Sequence, residues 1–416
     1  MGSKPNVIIL GGVNTCSRAL AALLVPLEGE PLVGHLRIVD KFSVAPPTTY
    51  IGSEFPKILE KPNVEYRQAN LTVAAAVATA FDPPEGQAPY EYVFDLTGET
   101  RHDRPEGVQL MHTFNISRLV GLEAAKRKVK AYVRLQHPFY ESSEKGSHEE
   151  KEDVKPDGIR GIWWHETLRM LAAIEGLNLV VLRIGYVYGP YTDFGRICTF
   201  ITVAAVYGYM KKPMKALHPP GKHPTNTVHV DDVAGGLWAA ALWIAGIGRK
   251  EADVIAGEEL RFHNEKSKVN DVDGMLPHDA KAIAPLFNLV DDNETTLLKA
   301  GQTATAFFGT TFDFYNFVMN TMAKFRLEDV VEEINEHHVG GWTEMIQKSD
   351  PPITNTPLTG YMSTDDLQKH VVAYSNAKFK KVVGYTVKHP HMGPPELSDM
   401  IDKWKADHVW PNVPQQ

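Results

Sequence analysis

The chain has 416 residues, 43% hydrophobic and 23% charged, with a formal net charge of -8, which is ordinary globular material with enough length for a large core. The acidic balance and the lack of a basic stripe beyond Lys126–Lys130 exclude the electrostatic footprint of a nucleic-acid binder. Two cysteines, Cys16 and Cys198, are too few for a disulfide framework, no apolar run reaches the roughly 20 residues of a membrane span, and the opening lacks the pattern of a secretory signal, so a soluble, cytoplasmic protein is expected.

In chain order the elements alternate. A short apolar strand, Val7 to Leu10, runs into a Gly-rich turn and the apolar helix Ala19–Leu24. The strand HLRIVDK ends near Asp40, and VEYRQANL is followed by the alanine-rich helix LTVAAAVATAF. YEYVFDLTG is a fourth strand, a long helix covers Phe114–Lys128, and AYVRLQH is a fifth strand. Strands alternating with helices predict a right-handed, parallel, doubly wound α/β sheet of the Rossmann type. The polar run ESSEKGSHEEKEDVKPDG is expected as a mobile surface loop, before the helix Trp163–Ile174 and the buried strand NLVVLRIGYVYGP. Residues 1–190 are assigned mainly to the dinucleotide-binding part. Residues 191–416 are assigned to returning strands and helices plus a smaller C-terminal α/β substrate lobe, with an insertion at about 249–284.

The turn GGVNTCSRAL stands where a dinucleotide fold places its phosphate loop, whose glycines let the backbone approach the pyrophosphate at a helix N-terminus. Gly11 and Gly12 supply the turn, while the next two fingerprint glycines fall on Asn14 and Ser17. Asn tolerates a left-handed backbone and Ser is small enough for close packing. Asp40, at the end of the second strand, is placed to accept from the ribose hydroxyls of NAD, although it lies 29 residues after Gly11, beyond the roughly 20 usual for the fingerprint. Lys41 beside it leaves NADP open, since a cation there meets a 2′-phosphate.

Beyond this loop the sequence resembles the extended short-chain dehydrogenase/reductase family, which includes sugar-nucleotide epimerases and dehydratases. The resemblance rests on ANL at 69–71, FDLTG at 94–98, NISRLVGLEAAKRKVKAYV, VVLRIGYVYGP, NTVHVDDVAGGLWAAA and FNLVDDNETT, all in the family's order. It implies a nicotinamide cofactor, NAD somewhat preferred over NADP, held by Gly11, Gly12, Asn14, Ser17, Asp40, Lys41, Asn70, Leu71, Leu96 and Gly98.

The family's catalysis needs Ser/Thr, Tyr and Lys, the last two four residues apart on one helix, with the Lys lowering the Tyr pKa. Here Gln136 stands at the Ser/Thr position, and Gly158 and Ile162 fall near those of Tyr and Lys. No Tyr-x-x-x-Lys occurs between 141 and 190. Trp163, Trp164, His165 and Glu166 occupy the helix instead, and resemble the relocated aromatic cluster of the progesterone 5β-reductase group. His165 or Glu166 is therefore the candidate proton-transfer residue, with Trp164, Tyr140 and Gln136 as further catalytic candidates. Trp offers only an N–H donor. Tyr140 and Tyr188 are alternatively core residues, and Asp231–Asp232 read as a helix start. His337–His338 and His389–His391 lack metal-ligand spacing, so no metal site is expected.

Three functions stay open. The leading one is an atypical NAD(P)-binding oxidoreductase or epimerase acting on a small, apolar or aromatic molecule, in a pocket lined by Phe139, Trp163, Trp164, Tyr186 and Tyr188. The second is a redox-neutral dehydratase, isomerase or cyclase using His165 and Glu166 as acid and base. The third is a catalytically silent dinucleotide-binding sensor or scaffold. A homodimer is possible; no nucleic-acid or membrane partner is expected.

Overall fold

The structure is a computed structural model and describes residues 4–413. Eight strands form one sheet: β1 (Asn6–Leu10), β2 (His35–Asp40), β3 (Val64–Gln68), β4 (Tyr92–Asp95), β5 (Ala131–Gln136), β6 (Leu179–Ile184), β7 (Gly257–Glu259) and β8 (Ile283–Leu289). Their order is β7-β8-β6-β5-β4-β1-β2-β3. All neighbours are parallel except the edge strand β7, which is antiparallel to β8. The chain leaves β1 in one direction for β2 and β3 and in the other for β4 onward, so a crevice opens at the C-terminal ends of β1 and β4, the switch point of a doubly wound sheet. Leu10 lies opposite both Val39 and Asp95, which brings the ends of β1, β2 and β4 to a common rim.

The sequence builds this sheet through strands apolar on both faces, as parallel sheets covered on both sides require. In β1 the period of two sends Val7 and Ile9 to one core and Ile8 and Leu10 to the other. Helices α1 (Thr15–Leu24) and, later in the chain, Val230–Ile247 close the first face with Leu20, Leu24, Val233 and Leu237. Helices α2 (Ile116–Lys126) and α3 (Gly158–Ala172) close the second with Val120, Trp163 and Leu168. Among the described residues, Val230–Ile247 is the one helix long and apolar enough to cross a membrane. Its apolar stripe lies on the sheet, which accounts for its composition. A smaller lobe packs α4 (Arg196–Met210), α5 (Leu327–Gln347) and α6 (Pro394–Ala406) around Val203, Ile334, Trp342, Trp404 and Trp410.

The polar run after Tyr140 is not a free loop. Glu150 is buried and accepts from the Asn288 N–H at 2.8 Å, and the His148 N–H reaches the Ala373 carbonyl at 2.7 Å. A segment poor in apolar residues is held here by hydrogen bonds to β8 and to the C-terminal lobe. The stretch after Ile247 begins as the helix Arg249–Ala256, contributes β7, and then buries Leu260, Val272 and Met275 in the core beside α2 and α3.

At the centre of the sheet Asp95 and Arg134 stand in register on β4 and β5 and pair at 2.9 Å, both fully buried. Tyr132 donates to Asp95 at 2.7 Å and Thr97 donates at 2.6 Å, while Arg134 donates to the Thr97 carbonyl at 2.8 Å. Removing one member of such a pair leaves a buried charge uncompensated. Arg134→Ala is expected to cost about 3–5 kcal/mol, read as a lowered denaturant midpoint at neutral pH. A shift worth less than about 1 kcal/mol, the level of an exposed pair, would show that water reaches Asp95.

Candidate active site

A cavity of about 570 Å³ opens at the switch point. Asn14, Thr15 and Cys16 line one end, at the start of α1; Leu96 and Gly98 follow β4; His137 and Phe139 follow β5; Tyr186 follows β6. The far wall belongs to Arg160 of α3, Arg196 of α4, and a strap from Pro357 to His370.

The glycine turn is built for packing. Gly11 has φ +80° and a Cβ there would lie 2.7 Å from the Leu96 carbonyl oxygen; one on Gly12 would lie 2.2 Å from Ile38 Cγ2. Asn14 keeps an extended φ of -73° and caps α1 by accepting from the Ser17 N–H. Its amide also donates to the Gly11 and Leu96 carbonyls at 2.8 and 3.0 Å, and the Ser17 hydroxyl donates to the Gly11 carbonyl at 2.6 Å. Side chains thus staple the loop where the fingerprint has bare glycine. Among the described residues the N–H groups of Thr15 and Cys16 meet no acceptor, and they open on the cavity as orphan donors of a helix N-terminus.

Asp40 ends β2 with its carboxylate accepting from the Val13 N–H at 3.1 Å and the Lys41 N–H at 2.6 Å. Burial pushes its carboxyl up, against the pull of those bonds. Lys41 is exposed beside it. Asn70 folds into a turn, accepting from the Thr72 hydroxyl at 2.7 Å, and Leu71 joins the core. Of the residues expected around a dinucleotide, Asn14, Leu96 and Gly98 line the cavity, whereas Gly11, Gly12, Ser17, Asp40, Lys41, Asn70 and Leu71 do not; the free helix donors and the tight turn are what fit one.

The proposed catalytic helix presents a different face from the one its sequence suggested. His165 is 5% exposed; its Nε2 bonds the Arg261 carbonyl at 2.7 Å and its Nδ1 lies 3.3 Å from the Tyr140 hydroxyl. Burial drives this imidazole down to about 3. Glu166, 1% exposed, accepts from the His263 N–H at 3.0 Å and from Arg169 at 3.2 Å. Neither residue lines the cavity. At about 100° per residue, the helix that turns Arg160 to the cleft and Trp164 behind its wall turns His165 and Glu166 away.

Tyr140 and Gln136 are buried too, and Gln136 donates to the His137 carbonyl at 3.3 Å. Trp164 stands behind the wall, its ring edge-on to His137 and Phe139 at 5.0 and 5.6 Å. It leaves 2.3 Å for a Cβ on Gly98. Of the aromatic residues expected around the pocket, Phe139 and Tyr186 line it, whereas Trp163, Trp164 and Tyr188 are buried outside it.

Further groups that face the cavity, His137, Arg160, Asp365 and His370, were missed in the sequence. His137 follows Gln136 directly, and burial, with Arg134 and Arg160 nearby, holds its imidazole at about 3. Arg160 lies 4.0 Å over the Phe139 ring and pairs with Asp365 at 3.2 Å. His370 holds the Asp157 carboxyl below its ordinary range. Arg160, four residues before Trp164, was findable by helical spacing. Nothing local marked Asp365 or His370, which arrive from about 200 residues away.

His389 meets His229 and Asp231 within 4.8 Å. The two rings stack at 3.7 Å and 23°, and His229 Nδ1 already accepts from the Asp231 N–H. Stacked imidazoles aim their in-plane lone pairs side by side rather than at one ion, so this trio reads as packing.

A scan of protein-family models and a search of curated proteins find no match to the chain. Solved structures do match. UDP-glucose 4-epimerase from Thermotoga maritima, solved with UDP-glucose, is 15% identical with a TM-score of 0.59, covering 96% of this chain and 98% of that one. The Bordetella bronchiseptica enzyme WbmG, in complex with NAD and UDP, is 12% identical with a TM-score of 0.60, over 97% and 95%. WbmF from the same organism, in complex with NADH, is 17% identical with a TM-score of 0.54, over 97% and 93%. The shared property is the fold: a Rossmann-type sheet carrying a smaller C-terminal lobe.

The buried imidazoles make a pH prediction. His137, His165 and His229 are held at about 3, and His223 and His338 at about 4, mainly by burial. In the unfolded chain they titrate near 6.5. The unfolded state therefore binds more protons below pH 6.5, so their contribution is present above that pH and lost as pH falls toward 4. The denaturant midpoint is expected to fall between pH 7 and pH 5, and His165→Gln should flatten that slope.

Proposed function

We propose that the protein is a nicotinamide-dinucleotide-dependent enzyme, NAD preferred, that oxidises, reduces or epimerises a small organic molecule. One observation carries this reading. A single cavity joins the free N–H groups of Thr15 and Cys16 to a far end where His137, Tyr186 and Arg160 converge. The solved structures of like fold that hold NAD, NADH or UDP-glucose support it.

Gly11, Gly12, Asn14, Asp40, Lys41, Asn70, Leu96 and Gly98 would hold the cofactor, with Ser17 and Leu71 packed behind them; the cofactor supplies hydride transfer when bound. The remaining chemistry falls to the chain. Tyr186 is kept protonated by burial, against the opposing charge of Arg196, so its hydroxyl would act as a hydrogen-bond donor to a substrate oxygen. The neutral His137 imidazole donates a hydrogen bond to the same developing charge. Phe139 and Tyr186 favour an apolar or aromatic portion of the substrate. The redox-neutral reading through His165 and Glu166 has no support from their placement outside the cavity.

Purified protein is expected to release NAD(H) on denaturation, detected by mass spectrometry, or to bind it on titration; binding of none of the four nicotinamide dinucleotides would end this reading. Against turnover of hydrophobic ketones or enones with NADH, Tyr186→Phe is expected to lower kcat by about 10²–10³-fold with NADH affinity unchanged. Preferred turnover of nucleotide sugars would overturn the apolar substrate class while leaving the cofactor assignment in place.

A further inference from the structure

Two features stand at the start of α1 that the reading above does not use. Asp193 lines the same cavity as Thr15 and Cys16, and its carboxylate accepts from the Thr15 hydroxyl at 3.4 Å and from Arg18 at 2.8 Å. Arg18 is itself 2% exposed, on the second turn of α1, and also donates to the Tyr191 carbonyl at 3.0 Å. An anion therefore already sits beside the positive end of the helix, where a diphosphate would be drawn.

The segment that carries this anion is held by the Trp404 indole N–H on the Thr192 carbonyl at 2.8 Å and by the Tyr191 hydroxyl on Glu54 at 2.6 Å, so releasing it has a cost. It runs from Gly189 (φ +118°) to Gly195 (φ +106°), two backbone conformations that residues with a Cβ rarely adopt. Nothing lies within 4 Å of a Cβ at Gly195, so that glycine answers to backbone conformation and not to crowding. Between them Phe194 is exposed against the cavity, while the Thr192 hydroxyl is buried without a partner. The segment ends at Gly195, the N-cap of α4.

We propose that Asp193 is an internal competitor of the dinucleotide diphosphate, and that binding the cofactor requires the Gly189–Gly195 segment to release the start of α1. This rests on the dinucleotide reading. The carboxylate occupies the field of the helix end and the Arg18 guanidinium together. A diphosphate brings more negative charge into the same field and meets Asp193 as a like charge at close range, so the two cannot share it without cost. The competition sets cofactor affinity below what the loop alone would give, and Arg18 passes from Asp193 toward the incoming phosphates as the segment lifts.

The test is the affinity for NADH, followed by fluorescence, in wild type, Asp193→Asn and Asp193→Ser, with adenosine as an uncharged control and thermal melts to establish folding. Asparagine keeps a hydrogen-bonding group near Thr15 and Arg18 while removing the charge; serine empties the position. Both variants are expected to bind NADH about tenfold more tightly than wild type, about 1.4 kcal/mol, with adenosine affinity unchanged. Wild type that binds NADH while both folded variants bind it equally or more weakly would overturn the competition and leave the dinucleotide reading standing. Absence of NADH binding in all three would overturn both. Binding by the variants alone would be the strongest form of the expected result.

Discussion

The fully buried pair of Asp95 and Arg134 organises everything around it. A carboxylate and a guanidinium in the middle of a parallel sheet cost several kcal/mol each to desolvate; neighbours satisfy the carboxylate and Arg134 Nη1, while Arg134 Nε and Nη2 are buried without a hydrogen-bond partner. Tyr132, Thr97 and the Thr97 carbonyl surround the pair. That ties the end of β4 to β5 and sets the course of the chain through Leu96 and Gly98. Arg134 also lies 4.6 Å from the Trp164 ring, and Trp164 presses on Gly98 and donates to the Glu99 carbonyl at 2.8 Å. One ion pair thus positions the strand end, the glycine corner and the helix behind the cleft.

From this comes the shape of the site. Trp164, held between Arg134 and Gly98, takes up the volume behind the wall, so polar groups reach the cavity from strand ends as well as from the start of α3. His137 comes from the end of β5, Tyr186 from the strand after β6, and Arg160 from the first turns of α3. The strap carrying Asp365 and His370 is anchored by Asn335, whose amide exchanges two hydrogen bonds with the Met362 backbone at 2.7 and 2.8 Å. Arg160 reaches the cavity from α3 itself, while His137 and Tyr186 come from strand ends.

The charges of the cleft are largely internally answered. Arg160 meets Asp365, His370 meets Asp157 at 3.3 Å, and Arg18 meets Asp193. Ligand binding in such a site exchanges partners instead of meeting bare charge, which ties affinity to the segments that carry the carboxylates. Asp193 lies on the segment Gly189–Gly195 that leads into α4, Asp365 on the strap Pro357–His370, and Asp157 at the start of α3. They make the cleft a joint product of the sheet and the lobe.

Local pattern by itself determined the sheet. Alternating apolar strands and helices, the GG turn and the acidic end of HLRIVDK are short-range signals, and period and turn chemistry act within a few residues. The same locality makes the absence of a Tyr-x-x-x-Lys between 141 and 190 visible in a single helix. What local pattern did not decide was the direction each side chain faces once α3 is docked. His165 and Glu166 carry the right chemistry at the right position along the chain, yet the packing of Trp164 against Gly98 rotates them into a buried polar network with Arg169, His263 and Tyr140. Only the tertiary structure brings Arg160, Asp365 and His370 to one wall and Asp193 to the start of α1, because contacts across that many residues are set by packing the whole chain, for which a local sequence carries no register.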